Sequence, residues 1–387
     1  ELPNMVDAAV NNKKVQVSLS GHNSRRSSTL NAAEDRLENL DLSRAFSPTE
    51  ASPNQAYVRI TRGCNKFCSF CVVPFTRGPE VHRPADHIVE EVKRLVDSGV
   101  VEVTLLGQTV NHYAYSAGGK TTSFADLLWK VHEEVPDLPR LRFITSYPRD
   151  FTDDALDAMA AADRICKYLH IPAQSGSDRI LKKMNRGYTV EKYFGLLERA
   201  RKRMPTIRLA GDMIVGFPTE TDEDHAMSVE LLRQAQYKSC FIFKYSPRPG
   251  TVSIRRLEDD VSNDTKKRRH KELLDLQGEI GFELNKSYLG SSLPVLVESE
   301  SKYRKAENPS GLVQLGRAKP DPSITHLVGR TEGDEIVAFE GPRHLIGTIT
   351  TVEAIGATPL TIRGQWRVEK SLKSNTSDKS FVSEIRA

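Results

Sequence analysis

The sequence alternates about six times between short apolar runs and stretches with helical spacing, and this alternation limits the fold most strongly. In one such stretch, Ile88, Val92, Leu95 and Val96 share a face, as in a helix that packs on a sheet. The pattern predicts an α/β fold, a parallel sheet with helices outside it. Periodicity leaves two architectures open, a doubly wound sheet and a full or partial (β/α) barrel. In both, functional groups lie at the carboxyl ends of the strands. The predicted strands are Tyr57–Thr61, Val101–Gly107, Leu141–Ser146, Tyr168–Pro172, Arg208–Phe217 and Cys240–Tyr245.

Changes in composition divide the 387 residues into four predicted segments. Residues 1–52 are polar and rich in Ser, and we interpret them as a remnant of a preceding domain plus a linker. Residues 53–287 contain the α/β core and end in a long helix predicted from about Asp264 to Tyr288. Short apolar runs separated by Gly and Pro then predict a small all-β barrel over residues 288–354. The polar residues 355–387 are expected to form a partly disordered extension.

The composition is typical of a soluble globular protein, with 38% hydrophobic and 27% charged residues. No apolar run approaches the roughly 20 residues that span a bilayer, so no membrane partner is expected. The net charge of +4 does not by itself indicate a nucleic-acid binder. Because the chain begins with Glu1, we expect that a segment upstream of it is absent. Of five cysteines, three fall within eight residues, which argues against disulfides and for a reducing, cytoplasmic location.

Cys64, Cys68 and Cys71 form a CxxxCxxC string directly after the first predicted strand. Thiolates are soft ligands that suit iron–sulfur clusters or zinc. A [4Fe–4S] cluster normally takes four cysteines, so three close cysteines leave one iron open. The amino and carboxylate groups of S-adenosylmethionine (SAM) can bind that iron, where one electron cleaves a carbon–sulfur bond of SAM. The string therefore predicts a radical-SAM centre.

A structural zinc site is the alternative for this loop. Zinc prefers four ligands, usually as two CxxC-type pairs at some distance. No fourth ligand stands out nearby, although His82 stays open as one. The two other cysteines, Cys166 and Cys240, stand alone in or beside apolar segments, and we interpret them as small buried hydrophobic residues.

Strings at the ends of other predicted strands are candidates for holding SAM. The Gly-Gln pair after the second strand offers backbone groups to the amino group of SAM, or forms a plain turn. A predicted helix start near Ser175 favours anionic groups, although this serine serves equally well as an N-cap. The apolar residues near Asp212 either flank adenine or form a buried strand. The predicted SAM-binding residues are Phe70, Gly107, Gln108, Gln174, Ser175, Asp212 and Ile214.

Together these strings resemble the radical-SAM methylthiotransferase family, and most closely its tRNA-modifying branch, the 2-methylthio-N6-dimethylallyladenosine synthases. The likeness runs from about residue 55 to 352 and implies a partial (β/α) barrel. It implies transfer of a methylthio group to carbon 2 of an N6-dimethylallyladenosine beside the anticodon. The implied partners are the tRNA anticodon stem-loop and an electron donor such as flavodoxin or ferredoxin, and we expect a monomer. The matching segments are Arg62–Gly78, Leu105–Asn111, His170–Ser177, Asp212–Thr221 and Tyr245–Thr251.

The C-terminal barrel resembles a TRAM domain, a small β module that binds RNA, through residues 329–331 and 337–341. Asp334 departs from the family, which usually has Asn at this turn position. Basic residues here would contact phosphates, which position RNA without reading its sequence, and a merely solvated basic face is the alternative. We interpret the basic run at 266–269 as such a solvated face. The implied RNA contacts are Lys302, Arg304, Lys305, Arg317, Lys319 and Arg330.

Members of this family also carry an N-terminal domain whose three cysteines hold a second [4Fe–4S] cluster, the site associated with the transferred sulfur. No cysteine precedes Cys64 here, and Glu1–Leu19 resemble the last stretch of that domain. We therefore expect the second cluster in a longer parent protein and not on this chain. Arg77 is a candidate for a role near the substrate, and no general acid or base is predicted.

Two other functions stay open. One is a methylthiotransferase for threonylcarbamoyl-adenosine in tRNA or for a ribosomal protein. The Gly107–Asn111 string and the Arg-Gly pair before Cys64 favour the dimethylallyl branch instead. The other is a catalytically incomplete RNA-binding fragment. Release of 5′-deoxyadenosine from SAM distinguishes an enzyme from such a fragment.

Overall fold

The structure is a computed structural model that describes residues 54–301 and 324–367, all within one compact unit. The strands are β1 (Gln55–Arg59), β2 (Thr61–Arg62), β3 (Val81–His82), β4 (Glu102–Leu106), β5 (Ala114–Ala117), β6 (Lys120–Ser123), β7 (Arg140–Ile144), β8 (Tyr168–His170), β9 (Arg208–Val215), β10 (Ser239–Lys244), β11 (Ser292–Glu300), β12 (Ile324–Arg330), β13 (Ile336–Pro342), β14 (Ile349–Ala357) and β15 (Thr361–Trp366). The helices are α1 (Val73–Thr76), α2 (Ala85–Asp97), α3 (Phe124–Glu134), α4 (Asp153–Ala161), α5 (Asp178–Lys183), α6 (Val190–Arg203), α7 (Asp222–Ala235), α8 (Val252–Arg256) and α9 (Asn263–Lys286).

The core is a partial (β/α) barrel made of two parallel three-stranded sheets, β1-β4-β7 and β8-β9-β10. A parallel bridge between Leu141 and Ile165 joins the two sheets beside β7 and β8. The strands therefore follow one another in chain order around the barrel, which distinguishes it from a doubly wound sheet. In the described part of the chain, no ladder connects β10 back to β1. The expected partial barrel is confirmed.

Alternation along each strand sends one set of side chains towards the helices and the other into the barrel. In β1, Ala56 and Val58 are buried, whereas Tyr57 between them is exposed on the inner face. The buried set packs against helices such as α2, which covers the sheet with Ile88 and Val92. Full burial of one such side chain stabilises the fold by about 1.5–3 kcal/mol. Among the described residues, none of the helices is long and apolar enough to cross a bilayer.

A small closed barrel follows α9, with its strands in the order β11-β12-β13-β15-β14. Its interior is apolar and includes Val295, Leu327, Val337 and Ile362. The boundary expected at residue 354 is wrong, because β14 continues to Ala357 and β15 closes the barrel. The expected extension over 355–387 therefore begins with barrel residues, and its part beyond residue 367 lies outside the described residues. Segment 1–52 lies outside them too.

The small barrel covers the amino ends of the core strands through buried charged side chains. Arg140 and Arg142 of β7 each reach across to it, and Arg142 Nε also donates to Glu102 Oε2 at 2.7 Å. The carbonyl oxygens that accept from the two guanidinium groups at 2.5–3.0 Å are those of Pro294, Arg330, Thr331 and Glu332. Because both cations are buried and paired, this interface holds the two domains in one arrangement.

Candidate functional site

The three cysteines lie in a loop at the carboxyl end of the core strands, just after β2. Gly63 begins the loop with φ +75°, and a Cβ there would lie 1.9 Å from the carbonyl oxygen of Pro79. Glycine is therefore required at this position, since other residues meet both a strained backbone and a clash. Cys64, Cys68 and Cys71 are all half-buried free thiols. This is where the cysteine string was expected.

Burial raises the pKa of the Cys64 and Cys71 thiols, and neighbouring cysteines add to the effect. Ligand binding to a metal requires thiolates, so a metal centre would have to displace these protons. In the part of the chain that the structure describes, no three His, Cys, Asp or Glu residues are grouped to hold one metal ion. His82, the open zinc ligand, packs its ring edge-on against Tyr113 with centroids 5.5 Å apart.

Arg186 lies buried beside the cysteine loop and was missed by the sequence analysis. Its Nη1 donates to Cys68 Sγ at 3.3 Å, its Nη2 to the carbonyl oxygen of Pro172 at 3.1 Å, and its Nε to the Tyr188 hydroxyl at 2.9 Å. The guanidinium also lies 4.7 Å from the ring centre of Tyr147. A fixed cation touching a cysteine sulfur compensates negative charge at that sulfur.

The chain around Arg186 also clamps the cysteine loop. Ser69 donates from its backbone to the carbonyl oxygen of Met184 at 2.9 Å, and from Oγ to that of Lys183 at 2.8 Å. Asn185 donates to the carbonyl oxygen of Phe67 at 3.0 Å. The cysteine loop is therefore held from the end of α5, far along the chain.

The predicted Gly107–Gln108 pair lies next to the cysteine loop. A Cβ on Gly107 would lie 2.3 Å from Thr61 Cγ2, so this glycine permits the close approach of β2. Thr109 follows, and its Oγ1 is 3.7 Å from Cys64 Sγ. Gln108 Oε1 is buried and has no hydrogen-bond partner among the described residues. Such an atom is available to a donor from a ligand.

The strings around Gln174 and Asp212 lie side by side at the same end of the barrel. Gln174 has φ +75°, and its backbone N–H donates to the carbonyl oxygen of Asp212 at 2.7 Å. In return, Ile214 N–H donates to the carbonyl oxygen of Gln174 at 2.9 Å. Asp212 Oδ1 lies 3.2 Å from Nε2 of His170. The backbone thus brings together two strings that are far apart in sequence.

Ser175 differs from its expected roles. It is fully buried, and its Oγ accepts from Ser177 N–H at 3.2 Å. The N-cap of α5 is Ser177, whose Oγ accepts from Ile180 N–H, so the N-cap alternative for Ser175 is wrong. Gly176 between them meets the Met227 carbonyl oxygen 2.2 Å from where its Cβ would be. Ser175 therefore stabilises the loop through a buried hydrogen bond.

Phe70 and Ile214, two predicted SAM contacts, share one apolar cluster. Both pack at its edge as partly buried residues. The ring of Phe70 meets that of Phe217 edge-on, with centroids 6.5 Å apart. By contrast, Arg77 is exposed at the C-terminal end of α1, and the only contact described for it is its backbone bond to Val73. Its role near a substrate stays a prediction.

Among the predicted RNA contacts, only Arg330 falls in the described part of the chain. It is paired with carboxylates of the interface: Nη1 is 3.1 Å from Asp334 Oδ1, and Nε is 3.6 Å from Glu298 Oε1. Asp334 also accepts from Lys238 Nζ at 2.9 Å, which ties the turn to the core. The remaining predicted contacts lie outside the described residues: Lys302, Arg304, Lys305, Arg317 and Lys319.

Comparisons with known proteins show which family this chain resembles. A family model described as the radical SAM superfamily matches residues 58–232. A protein of Phocaeicola vulgatus described as tRNA-2-methylthio-N(6)-dimethylallyladenosine synthase is 38% identical over 340 residues, which cover 86% of this chain and 70% of that protein. The chain belongs to the family of these synthases. The resemblance inferred from the sequence strings is thereby confirmed.

Other members of the synthase family are similarly close. The synthase of Christiangramia forsetii is 42% identical over 336 residues, and that of Chlorobium limicola is 42% identical over 310 residues. The match covers 83% and 80% of this chain, but 66% and 65% of those synthases. Among solved structures, a radical S-adenosylmethionine methyltransferase of Kitasatospora setae aligns with 67% of this chain and 46% of its own, at 16% identity and a TM-score of 0.45.

Proposed function

We propose that this chain is the radical-SAM core and small barrel of a tRNA methylthiotransferase acting on carbon 2 of N6-dimethylallyladenosine beside the anticodon. One observation carries the proposal: the cysteine loop lies against Thr109, and Asp212 pairs with Gln174, at one end of a partial barrel. The relatives named as synthases of this kind supply the reaction. The chain's own share of the reaction follows from how its residues can hold the cofactors.

The residues at this site fit a [4Fe–4S] cluster with SAM. Three half-buried thiols would supply soft thiolate ligands, and the buried cation of Arg186 would compensate the charge of a thiolate-bound cluster. Gln108 Oε1 is a buried acceptor that lacks a partner among the described residues, as an acceptor awaiting a ligand would. When bound, the cluster and SAM would supply one-electron cleavage of a carbon–sulfur bond. Cys64, Cys68 and Cys71 would hold the irons.

The surrounding residues would bind and orient SAM. Gly107, Gln108 and Gln174 would offer polar groups at the strand ends, and Asp212 a carboxylate for hydroxyl groups. Phe70 and Ile214 would pack against the adenine and exclude water, since they already share an apolar cluster. Ser175 would act indirectly, because it is fully buried.

The other partners of the parent enzyme stay predictions. We infer that the small barrel contacts the anticodon stem-loop and that flavodoxin or ferredoxin supplies the electron. We also infer a cytoplasmic monomer whose second cluster belongs to the N-terminal domain of a longer parent. Segments 53–287 and 288–366 would be its radical-SAM and TRAM-like domains.

Anaerobic reconstitution of the purified chain tests the cofactor assignment. We expect about four irons per chain with matching sulfide, visible and electron-spin-resonance spectra that change with SAM, and release of 5′-deoxyadenosine after reduction. About eight irons would mean that this chain also ligates a second cluster. Zinc without sulfide would overturn the assignment. An iron-loaded chain that releases no 5′-deoxyadenosine would favour an inert RNA-binding fragment.

Profiling modified nucleosides in a strain that lacks the parent gene tests the substrate. We expect loss of the 2-methylthio derivative of N6-dimethylallyladenosine. Loss of the threonylcarbamoyl derivative instead would contradict the proposed substrate.

A further inference from the structure

The cysteine loop packs against α5 and α8, and the three segments together form one surface. Ser69 of the loop donates to the end of α5, and its carbonyl oxygen accepts from Ser253 N–H of α8 at 2.8 Å. Asn185, which follows α5, donates to the carbonyl oxygen of Phe67 at 3.0 Å. Cys68 lies between Phe67 and Ser69 in the chain, so a proposed cluster ligand belongs to the segment that builds this surface.

Two apolar side chains protrude from this surface. Phe67 and Ile254 are 54% and 43% exposed. Phe67 also has φ +47°, a conformation that a bulky residue rarely adopts. Such strain persists only where the surrounding structure enforces it, and it is most common at functional sites. Aromatic side chains are enriched where proteins meet, so an exposed ring beside a proposed cluster ligand favours contact with another protein.

Four cations border the two apolar side chains. Lys182 and Lys183 lie in the last turn of α5, and Arg255 and Arg256 in the last turn of α8. Three of them are exposed and Lys183 is half-buried. Within the part of the chain that the structure describes, none of these four side chains has an ion pair or a hydrogen bond. They are therefore available to the anionic groups of a partner.

The acidic residues nearby do not cancel this positive charge. Residues 64–79, 148–150, 178–186 and 248–260 form the loop and the segments next to it. They contain ten Lys or Arg against five Asp or Glu residues, a surplus of five positive charges, whereas the whole chain has a net charge of +4. Arg179 and Asp259 are paired with residues outside these segments, Asp224 and Lys266, and these two pairs leave the surplus unchanged.

The cations of α5 and α8 point away from the proposed SAM site. Ile180 of α5 packs into the apolar cluster that the proposed adenine contacts share, and Lys182 follows it about 200° around the helix. Leu257, at the end of α8, packs on the same cluster, and Arg255 precedes it by two residues. A protein that bound to the exposed side of these helices would therefore leave the SAM site open.

We propose that this surface, formed by Phe67, Ile254 and the four cations, docks a small acidic protein that delivers one electron to the cluster beside Cys68. The cations would steer the carrier to the surface, and the two apolar side chains would exclude water at its centre. Electron-transfer encounters of this kind bury little area. The carrier is oxidised by one electron and the cluster is reduced by one, and no covalent bond forms or breaks. The inference rests on the proposed function, because it takes the cysteines to hold a [4Fe–4S] cluster.

RNA is the other polyanion that these cations could bind, through its phosphates. The electron carrier is favoured by position. A carrier only has to come close to a cluster ligand, and Phe67 is the neighbour of Cys68 in the chain. The target base of an RNA instead has to reach SAM, on the other side of the apolar cluster.

Calorimetric titration of the reconstituted chain with a purified acidic flavodoxin tests the proposal. Raising the salt concentration from about 50 to about 200 mM should weaken binding roughly tenfold, because salt screens exposed charges. Lys182→Glu and Arg255→Glu should each weaken it about fivefold, and the double variant about twentyfold. Lys202→Glu is the matched control. Lys202 is an exposed lysine in the last turn of α6 without a described ion pair, so its replacement should change binding less than about twofold.

The rate at which the cluster is reduced, followed by stopped-flow absorbance, is the second measurement. With reduced flavodoxin the rate should fall in the same order as the affinities, and Phe67→Ala should lower both the rate and the affinity about threefold. Dithionite is too small to need a docking surface and should reduce the wild type and the charge variants at similar rates. Iron content is measured for every variant.

Unchanged flavodoxin binding in the folded, iron-loaded double variant would overturn the inference. It would also be overturned if the double variant lost binding to an anticodon stem-loop hairpin but kept its affinity for flavodoxin, because the surface would then belong to RNA. The proposed function fails in a different way. A wild-type chain that binds flavodoxin through these cations but releases no 5′-deoxyadenosine with dithionite would count against that function and not against the docking surface.

Discussion

Buried polar side chains lie at both ends of the core strands, but the two ends differ in whether these side chains have hydrogen-bond partners. At the amino ends, Arg140 and Arg142 donate to the small barrel and to Glu102 at short distances. At the carboxyl ends, Gln108 Oε1 and Ser146 Oγ are buried without a partner among the described residues. Buried polar atoms are normally hydrogen-bonded, so each exception needs a reason. The small barrel closes the amino ends, whereas the unpaired atoms at the carboxyl ends support our proposal that a ligand binds there.

The largest expected effect comes from the cysteines at the carboxyl end. Cys64→Ala, Cys68→Ala and Cys71→Ala should each lose most of the iron bound after anaerobic reconstitution, because each thiolate would hold its own iron. Iron and sulfide analysis measures the loss. Cys166→Ala is the matched control, since Cys166 is buried away from this loop and burial raises its pKa to about 11. Equal iron loss in the control would contradict the assignment.

The next effect concerns the closed end. Arg142→Met should lower the free energy of unfolding by about 3–5 kcal/mol, because it leaves buried Glu102 without its nearest cation. Urea unfolding measures the change. Lys93→Met is the control: its ion pair with Glu134 is exposed on both sides and should contribute less than about 1 kcal/mol. Similar losses of unfolding free energy in both variants would mean that the buried Arg142–Glu102 pair contributes no more than an exposed ion pair.

A third prediction concerns Asp224, whose carboxylate accepts hydrogen bonds at the carboxyl end of the barrel. Burial raises the pKa of Asp224, but hydrogen bonds from Arg179 and Ser177 outweigh this and hold the pKa well below its usual 3.8. The carboxylate therefore stabilises the fold above about pH 4, and this stabilisation is lost as pH falls through the lowered pKa. Asp224→Asn should cost about 2 kcal/mol at pH 7. In urea unfolding below pH 3.8, the difference in the free energy of unfolding between Asp224→Asn and the wild type should become smaller.

A smaller effect is expected at Arg186. Replacing it with Met should lower the midpoint potential of the reconstituted cluster by about 60 mV, which corresponds to about 1.4 kcal/mol for one electron. The reason is that a hydrogen bond from a cation to Cys68 Sγ favours the more negative, reduced cluster. Arg186→Lys should recover part of the shift. A spin-resonance redox titration measures it, and an unchanged potential in a folded, iron-loaded variant would rule out this influence.

The smallest effect is expected at Asp334. Asp334→Asn keeps a residue that tolerates its φ of +69° but removes the charge that faces Lys238 and Arg330. We expect a loss of at most about 1 kcal/mol in urea unfolding, since both partners keep other polar neighbours. A loss of unfolding free energy as large as that of Arg142→Met would mean that the Asp334 turn contributes as much to the interface as the Arg142–Glu102 pair does.

Sequence reasoning located the candidate loops where residue type and position after a strand were enough to find them. The cysteine spacing and the Gly107–Gln108 pair identified their loops, because their residue types and their places after strands are visible in the sequence. It failed where a contact joins two residues that are far apart in the sequence. Nothing near Arg186 in the sequence indicates the Tyr147 ring that it packs on, and nothing near Arg330 indicates that Glu298 Oε1 lies 3.6 Å from its Nε. The strand β15 was missed because its string, Thr-Ile-Arg-Gly-Gln-Trp, is mostly polar.

The contact between Arg142 and the small barrel can form only late in the synthesis of the chain. Arg142 and the carbonyl group of Glu332 that it binds are 190 residues apart in the chain. At typical rates of synthesis, a ribosome needs roughly 10 to 40 seconds to add a stretch of that length. The core ends with α9 at Lys286, so it is complete for only the last 46 residues of this interval (332 − 286), or roughly 2 to 9 seconds. During that time Arg140 and Arg142 still face water. A newly made core would therefore carry an open, positively charged underside until the small barrel has been synthesised.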